Sequence, residues 1–182
     1  SIRAATKAAK LLDHRFSSDV GVRTERGKDI KTEADLAAEN ILLKELAVSK
    51  IPVLSEEGGG SSLDEVGYLA HWIIDPLDGT LNFSRKFPMA CVSIGLWEDR
   101  KPKLAAIVDL ARNRTLSGEV GSGCWDGNRP MQVSSVEAVG QSVLATGFPT
   151  GRSFDSERLD AFVSSVQNFK KIRMLGSAAL SL

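Results

Sequence analysis

From Ile2 to Phe16 the apolar residues Ile2, Ala5, Ala9, Leu12 and Phe16 recur every three or four positions, which predicts an amphipathic helix. The polar, basic stretch that follows, through Gly27, has no such period and reads as a loop. Thr32-Glu33-Ala34-Asp35 has the form of a helix start. Leu36, Ile41, Leu42 and Leu46 behind it predict a second helix, ending near Ser49. The apolar runs at 51–54 and 69–74 read as strands. The first delivers Glu56 and Glu57 to the glycine-rich patch 58–62, a candidate mobile loop, and the second ends at Asp75-Pro76. Positions 90–97, 104–110 and 115–120 continue as a meander, and Asp126-Gly127 marks a tight turn before a short strand around Met131. A strand at 143–146 comes next. Leu159, Phe162, Val163, Val166 and Phe169 then mark a third helix, capped by Ser153 or Asp155. A strand at 172–175 runs into Gly176, and a last helix begins at Ser177. Helices in front, neighbouring strands behind and a closing helix-strand-helix predict a layered α/β fold, of the α+β type, with a largely antiparallel main sheet.

Composition narrows what such a fold can do. A chain of 182 residues, 42% hydrophobic, is enough for one domain. Its 23 Lys+Arg balance 23 Asp+Glu without runs, which argues against a nucleic-acid partner or an anionic-membrane anchor. An anionic substrate must then be held by local chemistry. Cys91 and Cys124 are too few for a disulfide framework, which points to a reducing compartment. His14 and His71 lie far apart, and this argues against a typical zinc site. Hard cations held by carboxylates remain open. With no apolar run of the ~20 residues that span a bilayer and no signal-peptide pattern, a soluble, cytoplasmic protein is expected. The chain opens at Ser1 without a methionine and stops at Leu182 inside an apolar run, so both ends read as cuts.

The standard phosphate loops are absent. Positions 21–28 hold one residue too many for a P-loop, and Asp29 stands where Ser or Thr is needed. Gly121, Gly123 and Gly127 miss the dinucleotide fingerprint by one and precede a turn. Asn82-Phe83-Ser84 and Asn113-Arg114-Thr115 fit glycosylation sequons by chance.

What remains is the block Trp72-Ile73-Ile74-Asp75-Pro76-Leu77-Asp78-Gly79-Thr80-Leu81-Asn82-Phe83. Asp, Pro and Gly are turn formers, so a plain turn is one reading. The other is chemical: a buried strand ends in Asp75, and the turn brings Asp78 back toward it. Two carboxylates that close repel unless a cation lies between them, and Mg²⁺ suits oxygen donors, including the Leu77 carbonyl. Gly79 and Thr80 then offer backbone N–H groups to an anion. Glu56 and Glu57 read as loop acids on their own, though their place just before the metal-like strand favours a site. Asp35 divides evenly between a helix-capping acid and a catalytic one. Gly176-Ser177-Ala178 by itself is a strand-to-helix junction.

Four blocks in order, Lys31-Thr32-Glu33-Ala34-Asp35, Leu54-Ser55-Glu56-Glu57, the segment from Trp72 to Phe83, and Gly176-Ser177-Ala178-Ala179, resemble the inositol monophosphatase family of Mg²⁺-dependent, Li⁺-sensitive phosphatases. The resemblance covers nearly the whole chain, and the third block is its most specific part. It implies an α/β/α/β/α sandwich and hydrolysis of a small polyol or sugar phosphate by in-line attack of a metal-activated water. Fructose 1,6-bisphosphate, 3′-phosphoadenosine 5′-phosphate and histidinol phosphate are rival substrates. A catalytically impaired regulatory homologue is the rival of another class.

By the same resemblance Glu56, Asp75 and the Leu77 carbonyl would hold a first metal, and Asp75 with Asp78 a second. Family members take two or three Mg²⁺ ions, with Ca²⁺ or Mn²⁺ substituting in crystals. Thr80 paired with Asp35 would orient the attacking water, with Glu56 also in the catalytic set. Asp78 and the Gly79 and Thr80 amides would bind the substrate's phosphate end, and Gly176, Ser177 and Ala178 its hydroxyls. The partner implied is a small phosphorylated metabolite, in a homodimer without nucleic acid or membrane. Family members continue further and carry a Trp-Asp motif whose aspartate completes the second metal site. The expected organisation is therefore one domain lacking its C-terminal part, with 1–140 its metal-binding portion and 141–182 the start of a second.

Overall fold

The computed structural model describes residues 1–16, 22–26, 29–58, 60–67, 69–148 and 155–182. Helix α1 (Ile2–Phe16) follows the expected repeat and buries Ala4, Ala5, Ala8, Ala9 and Leu12. The Phe16 side chain lies outside the described residues. The stretch expected as a loop instead holds β1 (Val22–Arg26), paired antiparallel with β2 (Asp29–Thr32). Backbone pairing makes this hairpin, so its charged sequence, Val-Arg-Thr-Glu-Arg, gave no apolar alternation to read.

Helix α2 (Glu33–Leu46) starts at a true capping box and runs into a single 3₁₀ turn, Ala47–Ser49. Its buried face is Ala34, Asp35, Ala38, Glu39, Leu42 and Leu46. The expected stripe was off by part of a turn, because Leu36 and Ile41 are only half-buried while two acids sit on the inward face. Each fully buried leucine here, such as Leu12 or Leu42, contributes about 1.5–3 kcal/mol through the apolar surface it removes from water.

Strand β3 (Val53–Ser55) precedes a short helix, α3 (Leu63–Val66), and then β4 (His71–Asp78). Of the patch expected to be a mobile loop, Ser61 N–H donates to the Val53 carbonyl at 2.6 Å, so at least this part lies against β3. Strand β4 runs past the expected stop at Asp75-Pro76. The register against its neighbour breaks between Asp75 and Asp78, which is where a residue without an N–H can sit in a sheet. Then come the five-residue helix α4 (Thr80–Ser84), β5 (Cys91–Glu98), β6 (Lys101–Asp109), β7 (Arg114–Glu119), β8 (Gly123–Asp126) and β9 (Arg129–Pro130).

Among the described residues the main sheet has seven strands in the order β3-β4-β5-β6-β7-β8-β9. Only β3 and β4 are parallel, and every other neighbouring pair is antiparallel. Helices α1 and α2 pack on each other and cover β4, β5 and β6. The core between them includes Leu12, Leu42, Ile74, Leu77, Phe83, Val92 and Ile94. This is the expected mixed α/β architecture with a mostly antiparallel sheet.

The remaining elements are β10 (Val143–Ala145), α5 (Ser156–Val166) and β11 (Lys171–Arg173), with β10 and β11 forming a separate parallel pair. Asp155 caps α5 by accepting from Arg158 N–H at 2.9 Å, and the alternative cap, Ser153, lies outside the described residues. Of the apolar residues that mark this helix, only Val166 is buried. Leu159 and Val163 are exposed, Phe162 meets Phe148 at a centroid distance of 5.1 Å, and Phe169 lies beyond the helix. The helix expected from Ser177 is a turn, closed by Ser181 N–H on the Ala178 carbonyl at 3.1 Å. Among the described residues no helix is long and apolar enough to cross a membrane.

Candidate active site

The carboxyl end of β4 meets the start of α2, the end of β3 and the segment after β11. Thr32, buried at the junction of β2 and α2, caps the helix, and its hydroxyl accepts from Ala34 N–H at 3.2 Å. Asp35 returns the bond. Its Oδ2 accepts from Thr32 N–H at 2.8 Å and from the Thr32 hydroxyl at 2.5 Å. Its other oxygen, Oδ1, lies 2.8 Å from Thr80 Oγ1. The capping and catalytic readings of Asp35 are therefore compatible, since one oxygen closes the helix and the other faces the candidate site. Thr80 Oγ1 also lies 2.9 Å from the Leu77 carbonyl. One hydroxyl proton serves only one of these acceptors fully, so Thr80 keeps lone-pair capacity to accept a bond from a third partner.

Glu56 follows β3 directly, with its N–H on the Ile74 carbonyl at 3.3 Å, so this loop acid is held beside β4. Its carboxyl adjoins that of Asp75. Burial first, then the charges of Glu56 and Asp78, push Asp75 up to about 8. Leu77 N–H, donating to Asp75 Oδ1 at 3.1 Å, pulls only weakly the other way. The neighbouring Glu57 is paired with Lys31 at 2.9 Å, yet burial still pushes its carboxyl up. Lys31 therefore offsets the charge of Glu57.

Asp78 does something different. Buried to 9% exposure, it accepts from the Ser177 hydroxyl, from Ala178 N–H at 3.0 Å and from Ala179 N–H at 2.8 Å. Cys91 Sγ adds a long contact at 3.5 Å, and burial together with the Asp78 charge pushes that thiol up. The carboxylate thus carries the 177–179 segment on its two oxygens. Gly79, between Asp78 and Thr80, has φ +87°, and a Cβ there would fall 2.6 Å from the Met89 carbonyl, so only glycine makes this corner.

Among the described residues no three His, Cys, Asp or Glu side chains converge closely enough to cage a metal by themselves. The donor set near Asp75 nonetheless suits one hard divalent cation. Two adjoining carboxyls repel each other in a way that a cation would relieve, and the Leu77 carbonyl adds a neutral oxygen. The fit is poorer for a second ion on Asp75 and Asp78, because Asp78 is already occupied as a hydrogen-bond acceptor. An open groove of ≈ 640 Å³ borders Glu56 and Asp75 and continues past Ser93 to Trp97.

Two polar residues here escaped the sequence reading. Glu39, 2% exposed and four residues after Asp35, accepts a short bond from the Ser55 hydroxyl and so braces the residue before Glu56. The i, i+4 spacing to Asp35 on an otherwise apolar face was the available signal. Asn82, set aside as a chance sequon, donates from Nδ2 to the Met89 carbonyl at 2.8 Å and to the Leu175 carbonyl at 2.7 Å.

The carboxyl end of β4 thus sets an adjoining acid pair beside a braced hydroxyl–carboxylate pair, an acid-rich site. The family follows from the whole chain: residues 1–182 match the sequence pattern of the inositol monophosphatase family, and the protein belongs to it. The Nus factor SuhB of Xylella fastidiosa is 36% identical over 157 residues, covering 85% of this chain and 56% of that protein. Inositol monophosphatase 3 of Solanum lycopersicum is 31% identical over 189 residues, covering all of this chain and 70% of its own length. The solved Thermotoga maritima IMPase superposes with a TM-score of 0.83 at 30% identity, over 99% of this chain and 68% of its own. The chain thus spans little more than half of the first of these relatives.

Proposed function

We propose that the protein is a divalent-cation-dependent phosphomonoesterase acting on small polyol or sugar phosphates, of the inositol monophosphate type. The observation that carries this reading is the contact of Thr80 Oγ1 with Asp35 Oδ1 at 2.8 Å, beside the Glu56–Asp75 pair. Glu56, Asp75 and the Leu77 carbonyl hold a cation in this reading, and Asp75 and Asp78 a second, weaker one. Mg²⁺ bound there supplies positive charge for the phosphoryl oxygens and lowers the pKa of a nucleophilic water. Thr80, held by Asp35, accepts a hydrogen bond from the attacking water and fixes its direction. Asp35 itself is fixed by the Thr32 N–H and hydroxyl, which makes the pair rigid before substrate arrives. The Gly79 and Thr80 N–H groups hold the phosphate, and the 176–178 segment carried by Asp78 contacts the substrate's hydroxyls. Lithium inhibition and a homodimer belong to the same reading.

The test is phosphate release from myo-inositol 1-phosphate with and without Mg²⁺, beside Thr80→Ala. Release that needs Mg²⁺ and falls sharply in the variant supports the reading. A panel with fructose 1,6-bisphosphate, 3′-phosphoadenosine 5′-phosphate and histidinol phosphate ranks the rival substrates. The relatives named Nus factor SuhB favour a second reading, a regulatory protein that keeps the site without fast turnover. Absence of release from every phosphate in the panel selects it.

A further inference from the structure

Asn82 has no part in the reaction as drawn above, yet it ties together three segments around the site. It sits in α4, two residues after Thr80, and both hydrogens of its amide are used. One goes to the Met89 carbonyl in the segment before β5 and the other to the Leu175 carbonyl after β11. Flipping the amide would set its oxygen against two carbonyls, so its orientation is fixed by chemistry. The next residue, Gly176, has φ +69°, and a Cβ there would fall 2.9 Å from Asn82 Nδ2 and 3.1 Å from Oδ1. A Cβ on Gly79 would meet both the Met89 carbonyl and, at 3.3 Å, the Gly176 carbonyl. Three backbone segments therefore close around one amide, and a Cβ at Gly176 has no room beside it.

We propose that Asn82 is a positioning residue that sets the 175–179 segment against the Gly79–Thr80 corner, and through it the grip on the hydroxyl-bearing part of the substrate rather than on its phosphate. The proposal rests on the phosphatase reading for its kinetic half only. Asp78 holds the same segment at Ser177, Ala178 and Ala179, but through a carboxylate that is also a candidate cation donor. A cation on those oxygens would compete with their hold on the segment. The Asn82 amide is neutral and directed at carbonyls, so its hold is indifferent to the cation. The segment is thus kept in register by one charged bracket and one neutral one. A glycan on Asn82 Nδ2 would remove a hydrogen from this joint, which leaves the sequon match without a glycosylation role.

The experiment uses the full chain and its Asn82→Asp variant, which turns two donations into two repulsions at nearly constant shape. Hydrogen exchange at the Ala178 and Ala179 amides should accelerate by about tenfold or more, while the amides of α2 keep wild-type rates. With glycerol 2-phosphate as substrate, KM should rise by about tenfold and kcat fall by less than about threefold, with the inhibition constant of inorganic phosphate unchanged. Unchanged exchange at 178 and 179 overturns the proposal, as does a KM that moves together with the phosphate constant. If the wild type hydrolyses no phosphomonoester, the functional reading fails, and the exchange measurement still decides the positioning role. Should Asn82→Asp not fold, Gly176→Ala presses on the same joint from the other side. Its effect on the exchange rates should be smaller in an Asn82→Ala background than in the wild type, because the amide it strikes is gone. Equal effects in the two backgrounds overturn the proposal.

Discussion

The two ends of this chain are built on different principles. The part from α1 to β9 is held by apolar packing, with Ala5, Ala8, Leu12, Ala34, Ala38, Leu42, Phe83, Val92 and Ile94 all at 0% exposure. The part from β10 to the end buries only Val166 and Ser177 among its described residues. It is joined to the first part by polar bonds, to Asp78 and to Asn82. The first part also supplies all the candidate acids, whereas the second contributes backbone N–H groups and a serine. A site divided in this way has rigid chemistry on one side and an adjustable wall on the other, since polar bonds exchange partners more easily than a packed core does.

The strongest way to break this division is to disarm the packed side alone. Asp75→Asn should take Mg²⁺-dependent turnover to background while the metal-free protein melts no lower than the wild type, because the change removes repulsion rather than packing. Retained turnover would show that the chemistry lies elsewhere. Next in size is a pair of core tests. Leu42→Ala should cost about 2–5 kcal/mol by leaving a cavity under the sheet, measured by denaturant unfolding. Val163→Ser on the exposed face of α5 should stay within about 0.5 kcal/mol. Similar costs would mean that the second part has a core of its own in solution.

The Asp35 and Thr80 pair sharpens the picture from within the first part. Thr80→Ala should lower kcat by roughly 10²-fold with little change in melting. Asp35→Asn should do some of both kinds of harm, because the amide keeps one accepting oxygen for the two sides that Thr32 and Thr80 occupy. A stability loss of about 1–3 kcal/mol beside a kinetic loss is expected, read from unfolding and steady-state rates together.

The smallest effect is on pH dependence. Asp75 is raised in the folded chain from its ordinary 3.8 to about 8, so between those values the folded state holds a proton that the unfolded state has released. Its stabilising contribution is complete below about pH 4 and is lost as the pH rises through about 8, and Glu57, also raised, acts in the same sense. The melting temperature of the metal-free protein should therefore fall over this range. Asp75→Asn should flatten the slope, and saturating Mg²⁺ should remove most of it by compensating the Asp75 charge. A melting temperature that rises with pH in the metal-free protein would contradict the acid pair.

By itself the sequence determined what depends on neighbours within a few residues. The 3.6-residue repeat of α1, the capping box of Thr32 and Asp35, and the corner at Gly79 are local patterns whose chemistry acts over one to four positions. The family motifs were legible for the same reason. Tertiary structure decided what joins distant positions. Asp78 meets Ser177, Ala178 and Ala179 from 99 to 101 residues away, Asn82 meets Leu175 93 residues on, and Thr80 reaches Asp35 across 45. No local spacing encodes such pairs, because each is fixed by where the sheet brings the chain back. The hairpin of β1 and β2 was hidden for a related reason, since backbone pairing leaves no apolar period to read. The exposed stripe of α5 shows the converse: a helical period establishes that a face is apolar, and only the packed structure decides whether anything covers it.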